Sequence, residues 1–273
     1  MAVSEYFERI QAGLPLDDLE IIDLHAHLGP YFNMHIPAGD PDSMIRIMDR
    51  CGIQKTVLSP NLGWQSDFVL ANTMMLQAVK AHRGRLYGAC AVNGHYPELS
   101  LDELNRCFQE RHVVMIKIHP AGTKCRLDDR RMERIYDFAA RRKLFILAHT
   151  WLDKDPYGNQ DLFASVAKSR PDILWIMGHS GGPYGSAHAV KLAREIPNVF
   201  LDIALSMCPA RQIEFFVKEL GAERVLFGTD NPFIDPRPQI GRVGLARITH
   251  QDRVNIFGAN ARRYIRFDES AIL

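Results

Sequence analysis

Eight short apolar segments alternate with amphipathic helical segments along this 273-residue chain, which predicts a single α/β domain. Each apolar segment is rich in Val, Ile, Leu or Phe, as strands buried on both faces of a parallel sheet are. The repeat of about 25–35 residues fits a (β/α)8 barrel, whose usual length is about 250 residues. It fits a doubly wound open sheet as well, so the choice depends on the chemistry at the strand ends.

The elements follow one another in strict order. Strands are predicted over residues 20–26, 55–59, 85–92, 113–119, 143–149, 173–178, 199–203 and 224–228. Helices are predicted from the 3.6-residue spacing of apolar side chains over residues 42–50, 70–82, 101–110, 129–142, 160–168, 186–195, 209–220 and 249–266. Glycine or proline lies near most helix ends, and Thr249 is the expected N-cap of the last helix. No composition break appears, so we expect a helical extension over residues 1–19 and one barrel domain over residues 20–273.

The composition excludes several classes of protein. The chain has 33 Lys and Arg against 32 Asp and Glu, a formal charge of +1, and hence no polycationic surface for nucleic acid. No apolar run approaches the roughly 20 residues of a membrane span, and the N-terminal segment lacks the apolar core of a signal peptide. Five cysteines without a C-x-x-C pair favour a reducing, cytoplasmic location. We expect a small-molecule partner and no nucleic-acid or membrane partner; homo-oligomerisation stays open.

The histidines are concentrated at predicted strand ends. Of the 11 histidines, five occupy such positions: His25, His27, His119, His149 and His179. The eighth strand is followed by Asp230. A barrel brings the C-terminal ends of all its strands to one mouth, which favours the barrel over the open sheet. Imidazoles and a carboxylate together suit a divalent transition metal, most often zinc, with manganese or iron as alternatives.

Six motifs carry a resemblance to a known family: IDLHAH at 22–27, MIKIHP at 115–120, LAHT at 147–150, GHSGG at 178–182, LFGTDNPF at 226–233 and IFGANARRY at 256–264. In this order they resemble the amidohydrolase superfamily. The chain looks most like its amidohydrolase-related branch of small hydrolases, lactonases and non-oxidative decarboxylases. The resemblance implies a distorted (β/α)8, or TIM, barrel with one or two metal ions at the strand C-termini.

The resemblance also implies roles for individual residues. His25, His27, His149 and Asp230 match the family's metal ligands, and Asp230 also matches the residue that contacts the attacking water. His179 matches a histidine that acts on water or substrate. Where a second ion binds, Lys117 stands near the position of a carboxylated lysine that bridges the ions, and His179 is a further ligand. A plain Lys117 that pairs with an aspartate or a substrate carboxylate is the other interpretation. The candidate catalytic residues are Lys117, His179 and Asp230.

Further residues are candidates for substrate contact because they follow strands and reach the expected mouth. They are His119, His35, Trp64, Trp151 and Ser206. His35 lies in the loop after the first strand, which we expect to hang over the mouth. Asp23 alternates with His25 and His27, so we expect it on their face, orienting an imidazole. Solvated surface positions are expected for His82, His95, His112, His188 and His250.

The predicted function is metal-dependent hydrolysis of a small amide, ester or lactone by a metal-activated water. Asp230 would accept the proton of the water and pass it to the leaving group. Non-oxidative decarboxylation or hydration of a small carboxylic acid on the same site is the alternative. A non-catalytic metal-binding protein with a closed coordination shell is the second alternative. The glycines of GHSGGPYG, at 178–185, match no nucleotide-binding pattern and are expected to let the backbone approach the site closely.

Overall fold

A computed structural model describes residues 3–151, 153–205 and 207–268. Its parallel sheet contains eight strands that are neighbours in space in the order of the sequence. The strands are β1 (Ile21–Leu28), β2 (Ile53–Pro60), β3 (Leu86–Ala91), β4 (Val113–Ile118), β5 (Phe145–His149), β6 (Leu174–Gly178), β7 (Val199–Asp202) and β8 (Val225–Leu226). All eight overlap the predicted strands, and β8 is the one most shortened.

Backbone hydrogen bonds bring the two edge strands together. The N–H of Leu24 donates to the carbonyl of Phe227, and the N–H of His27 donates to that of Asn231. In the opposite direction, the N–H groups of Thr229 and Asp230 donate to the carbonyl of His25. The sheet is therefore a nearly closed barrel. The prediction of a TIM barrel is confirmed, and the open-sheet alternative is wrong.

Helices surround the barrel. They are α1 (Val3–Gln11), α2 (Pro41–Cys51), α3 (Phe68–Ala81), α4 (Pro97–Cys107), α5 (Pro120–Thr123), α6 (Glu133–Arg142), α7 (Gln160–Ser169), α8 (Ser186–Glu195), α9 (Gln212–Leu220), α10 (Pro236–Leu245), α11 (His250–Val254) and α12 (Asn260–Tyr264). Helix α1 lies within the predicted N-terminal extension and packs against α10. No helix in the described part of the chain is long and apolar enough to cross a membrane.

Two details of the helices differ from expectation. Helix α10 and the four-residue α5 were not predicted. For α10, Asp235 caps the N-terminus and Pro236 occupies the first turn, both of which are start signals. The last predicted helix, 249–266, begins as expected with a capping box between Thr249 and Asp252. It is then interrupted by a π-helical turn, Asn255–Ala259, before α12.

The barrel interior is closed at one end and open at the other. A cluster of buried apolar side chains, including Ile22, Tyr87 and Phe145, fills the interior, and Ile265 and Phe267 from the C-terminal segment belong to it. A larger cluster lies between the strands and the surrounding helices. The C-terminal segment therefore packs at the end where the strands begin, and buried polar side chains such as His25, His27 and His179 lie at the opposite end.

Candidate metal centre

A local irregularity in β1 aims its histidines into the mouth. The pairing of β1 with β2 shifts register between Asp23 and Ala26, as a β-bulge does. Leu24 belongs to the interior cluster, and both His25 and His27 are buried at the mouth. Asp23 accepts hydrogen bonds from the backbone and hydroxyl of Thr229, and burial raises the pKa of its carboxyl to about 8. Asp23 also accepts the backbone N–H of His25 over 3.1 Å, so it holds the backbone of His25 and ties β1 to the segment after β8. Its carboxylate contacts no imidazole among the described residues, which corrects the expectation that it orients one.

Asp202, at the end of β7, orients His25 instead. The Nδ1 of His25 donates to the Asp202 carboxylate over 2.5 Å. Burial and the charge of Lys117 lower the pKa of His25 to about 3, so its imidazole is neutral and Nε2 carries a lone pair. Sequence reasoning missed Asp202. The available signal was a carboxylate at a strand end, the same signal that identified Asp230.

His179 is held in the same way. It lies directly after β6 in the left-handed conformation, with φ of 61°. Its Nδ1 donates to the carbonyl of Ala204 over 2.6 Å, and its backbone N–H donates to Asp202 over 3.1 Å. With Nδ1 protonated, the Nε2 atom is the available ligand. This nitrogen lies 3.1 Å from Nδ1 of His149.

Asp230 completes a compact group of donor atoms. It also has a positive φ, of 65°, and accepts a hydrogen bond from Nε2 of His27 over 2.8 Å. Burial alone would raise the pKa of Asp230, but the imidazoles of His179 and His27 hold it far below its usual value. One donor atom each from His25, His179 and Asp230 lie within 4.8 Å of one another. Two imidazoles and a carboxylate, each already fixed by a second partner, fit a divalent ion such as zinc or manganese.

The other two predicted ligands flank this group. His27 contacts Asp230, and its buried Nδ1 has no hydrogen-bond partner among the described residues. His149 contacts His179. Their assignment as ligands stays a prediction. Lys117 is buried with its Nζ 2.9 Å from Nε2 of His25, and burial lowers the pKa of Lys117 to about 8.

Aromatic rings form a stack along one side of the mouth. The rings of His119 and His149 are 3.9 Å apart and nearly parallel, at 13°. Trp64 stacks on the other face of His119 at 5.0 Å, and Trp151 stacks on His149 at 6.3 Å. Three of the predicted substrate-contact residues therefore lie beside the predicted ligands.

A cavity of about 460 Å³ opens above the metal centre. It is lined by Tyr31, Asn33, Met34, His119, His149, Trp151, His179, Asp230, Phe233 and Ile234. The loop after β1 thus reaches the mouth as expected, but His35 is exposed and is not part of the lining. Ser206 lies outside the described residues. Sequence reasoning missed Phe233, three residues after Asp230, whose ring lies 4.7 Å from that of His27.

Glycines after β6 permit a close backbone approach, as predicted. A Cβ atom on Gly182, whose φ is 82°, would lie 2.1 Å from the carbonyl oxygen of Trp151. Among the remaining histidines, His95, His188 and His250 are exposed and His82 is half-buried. His112 is buried against Tyr87 and bonded to Glu110, so its predicted surface position is wrong.

Comparisons with known proteins agree with this architecture. The family model described as amidohydrolase matches residues 22–267. A search of curated proteins finds no significant match. Solved structures with the same fold include 5-carboxyvanillate decarboxylase from Sphingomonas paucimobilis, with a TM-score of 0.73 and 15% identity, covering 92% of this chain and 100% of that one.

Two further solved structures are similar to this chain over about nine tenths of its length. Dihydroxybenzoic acid decarboxylase from a Polaromonas species, with bound manganese and the inhibitor 2-nitroresorcinol, has a TM-score of 0.70 and 19% identity, covering 90% of this chain and 96% of that one. 4-Oxalomesaconate hydratase from Rhodopseudomonas palustris has a TM-score of 0.68 and 18% identity, covering 89% of this chain and 95% of that one. At these identities, the likeness establishes a common fold.

Proposed function

The chain belongs to the amidohydrolase family, and from this premise we propose that it is a metal-dependent decarboxylase of a small aromatic acid. One observation carries the proposal: flat rings, among them Tyr31, Trp151 and Phe233, line a cavity that also contains His179 and Asp230, and the buried Lys117 contacts the same donor group with its Nζ 2.9 Å from Nε2 of His25. A planar ring fits between such side chains, and a lysine ammonium pairs with a carboxylate. The names of the two decarboxylases of the same fold support this substrate class.

The metal ligands are proposed to be His25, His179 and Asp230, with His27 and His149 beside them. A bound zinc or manganese ion would supply a Lewis acid for the oxygens of the substrate. The Lys117 ammonium, 2.9 Å from Nε2 of His25, would offset the carboxylate charge of the substrate.

Decarboxylation needs one proton at carbon. The bond between the ring and the carboxylate breaks, its electron pair stays on the ring carbon, CO2 leaves and this carbon takes a proton. Asp230 lines the cavity as an ionised carboxylate hydrogen-bonded to His27, so it can take a proton from water and pass that proton to the ring carbon. His179 lines the same cavity and is the other candidate proton donor.

Hydrolysis of a small amide, ester or lactone is the second candidate. The observation in its favour is the same Asp230–His27 pair, which could equally accept a proton from water. A non-catalytic metal site is less well supported, because a structural site is normally closed whereas this donor group borders a cavity.

The test distinguishes cleavage of the bond between ring and carboxylate from cleavage of an ester or lactone bond. Zinc- and manganese-loaded protein is incubated with 2,6-dihydroxybenzoate and with 5-carboxyvanillate, and CO2 release and deuterium incorporation from D2O are measured. We expect one CO2 and one ring deuterium per turnover, and we expect Asp230→Asn to lose at least about 100-fold in rate. Cleavage of esters or lactones with uptake of oxygen from H2¹⁸O, without CO2 release, would instead establish the hydrolase.

A further inference from the structure

His119 is held in a single tautomer by the helical turn that follows it. It is the N-cap residue of α5, and the N–H of Gly122 donates to its Nδ1 over 3.1 Å. A ring nitrogen that accepts a backbone N–H carries no proton of its own. The imidazole is therefore neutral, with its proton on Nε2.

The orientation of the His119 ring is fixed on both faces. Trp64 packs on one face at 5.0 Å and 26°, and His149 packs on the other at 3.9 Å and 13°. Gly122 contributes by its lack of a side chain. A Cβ atom there would lie 2.7 Å from Cδ1 of Trp64 and 3.1 Å from Nδ1 of His119. The ring is thus preorganised and need not lose rotamer freedom when a ligand binds.

His119 lines the cavity, and within the part of the chain that the structure describes its Nε2 has no hydrogen-bond partner. Lys117, which is buried in β4, precedes it by two residues. We infer that His119 is a substrate-binding residue whose Nε2–H donates a hydrogen bond to a carboxylate oxygen of the substrate. The inference rests on the proposed function, which places a carboxylate in this cavity.

Two conservative variants separate this role from helix capping. In His119→Asn, the side-chain oxygen can still accept the Gly122 N–H, because asparagine is a good N-cap, but no donor reaches the cavity. In His119→Gln, the longer amide can place a donor near the position of Nε2. A purely structural His119 predicts that asparagine preserves binding, whereas a substrate-binding His119 predicts that glutamine does.

Benzoate is the probe, and its binding to zinc-loaded protein is measured by titration calorimetry. Loss of a hydrogen bond to a charged group should weaken binding about 10–100-fold in H119N, while the protein stays folded. H119Q should retain most of the affinity. Equal affinity of H119N and the unsubstituted protein, or no benzoate binding by the latter, would overturn the inference.

A spectroscopic measurement on the unsubstituted protein does not depend on any variant folding. Two-bond ¹H–¹⁵N correlation spectra of zinc-loaded, ¹⁵N-histidine-labelled protein report which ring nitrogen carries the proton. We expect His119 to show a protonated Nε2, and a protonated Nδ1 contradicts the inference. Benzoate binding as expected without CO2 release from any aromatic acid would refute decarboxylation and leave the role of His119 standing.

Discussion

His25 owes its orientation to a single buried carboxylate. Asp202 accepts the Nδ1 proton of His25 and the backbone N–H groups of His179 and Ala204. Burial would raise the pKa of Asp202, but the adjacent His25 ring and its hydrogen bond hold that pKa below its usual value. Two of the three proposed ligands therefore depend on this one side chain.

We predict that Asp202→Asn lowers zinc affinity about 10–100-fold, because a neutral amide no longer fixes the tautomer of His25 or raises its basicity. Affinity is measured by competition with a chromogenic chelator. Asp172→Asn, at an exposed position, is the matched control and should leave affinity unchanged. Wild-type affinity in a folded D202N protein would show that Asp202 does not act on the metal.

The hydrogen bond between His25 and Asp202 is also an example of a contact that the sequence alone does not predict. The two residues are 177 positions apart, and no periodicity or spacing relates them. The histidines themselves were visible because each follows a run of apolar residues, and a barrel brings such positions together. Which histidine approaches Asp230, and which contacts another histidine, depends on the bulge in β1 and on the left-handed residues His179 and Asp230.

At the scale of elements, seven strands fall close to their predicted bounds because continuous apolar runs mark them well. The eighth strand is shortened to Val225–Leu226. The chain after it forms irregular backbone hydrogen bonds with β1. Helix α10 escaped prediction because its sequence, PRPQIGRVGL, contains two prolines and two glycines, which have poor helix propensity. Tertiary packing overrides that propensity.

The helix that begins after Thr249 depends on its cap. The Thr249 hydroxyl accepts the N–H of Asp252, whose carboxylate accepts the N–H of Thr249. Thr249→Ala should lower the free energy of unfolding by about 1 kcal/mol, and Thr249→Ser should restore most of it. Chemical denaturation measures both variants. Because Thr249 does not line the cavity, a fall in kcat/KM without loss of stability would contradict this assignment.

At the scale of the whole molecule, the C-terminal segment completes the barrel. Phe267 is 7% exposed and meets the Tyr87 ring edge-on, with centroids 4.8 Å apart, inside the interior cluster. Phe267→Ala should destabilise the protein by about 3 kcal/mol, since it leaves a cavity at the closed end. Thermal denaturation should show the loss, and Phe267→Leu should show a smaller one. An unchanged melting temperature for F267A would mean that this end is closed without the segment.

Metal binding should stabilise the fold as a whole, because His25, His179 and Asp230 come from three strand ends that only the closed barrel brings together. An ion that binds the folded chain alone adds about 2.7 kcal/mol at a hundredfold excess over its dissociation constant. For a chain of this size, that corresponds to a rise of roughly 5 °C in melting temperature. Chelator-treated protein is compared with protein reloaded with zinc or manganese. His25→Ala serves as the control that should lose the response, and an equal shift in that variant would place the ion elsewhere.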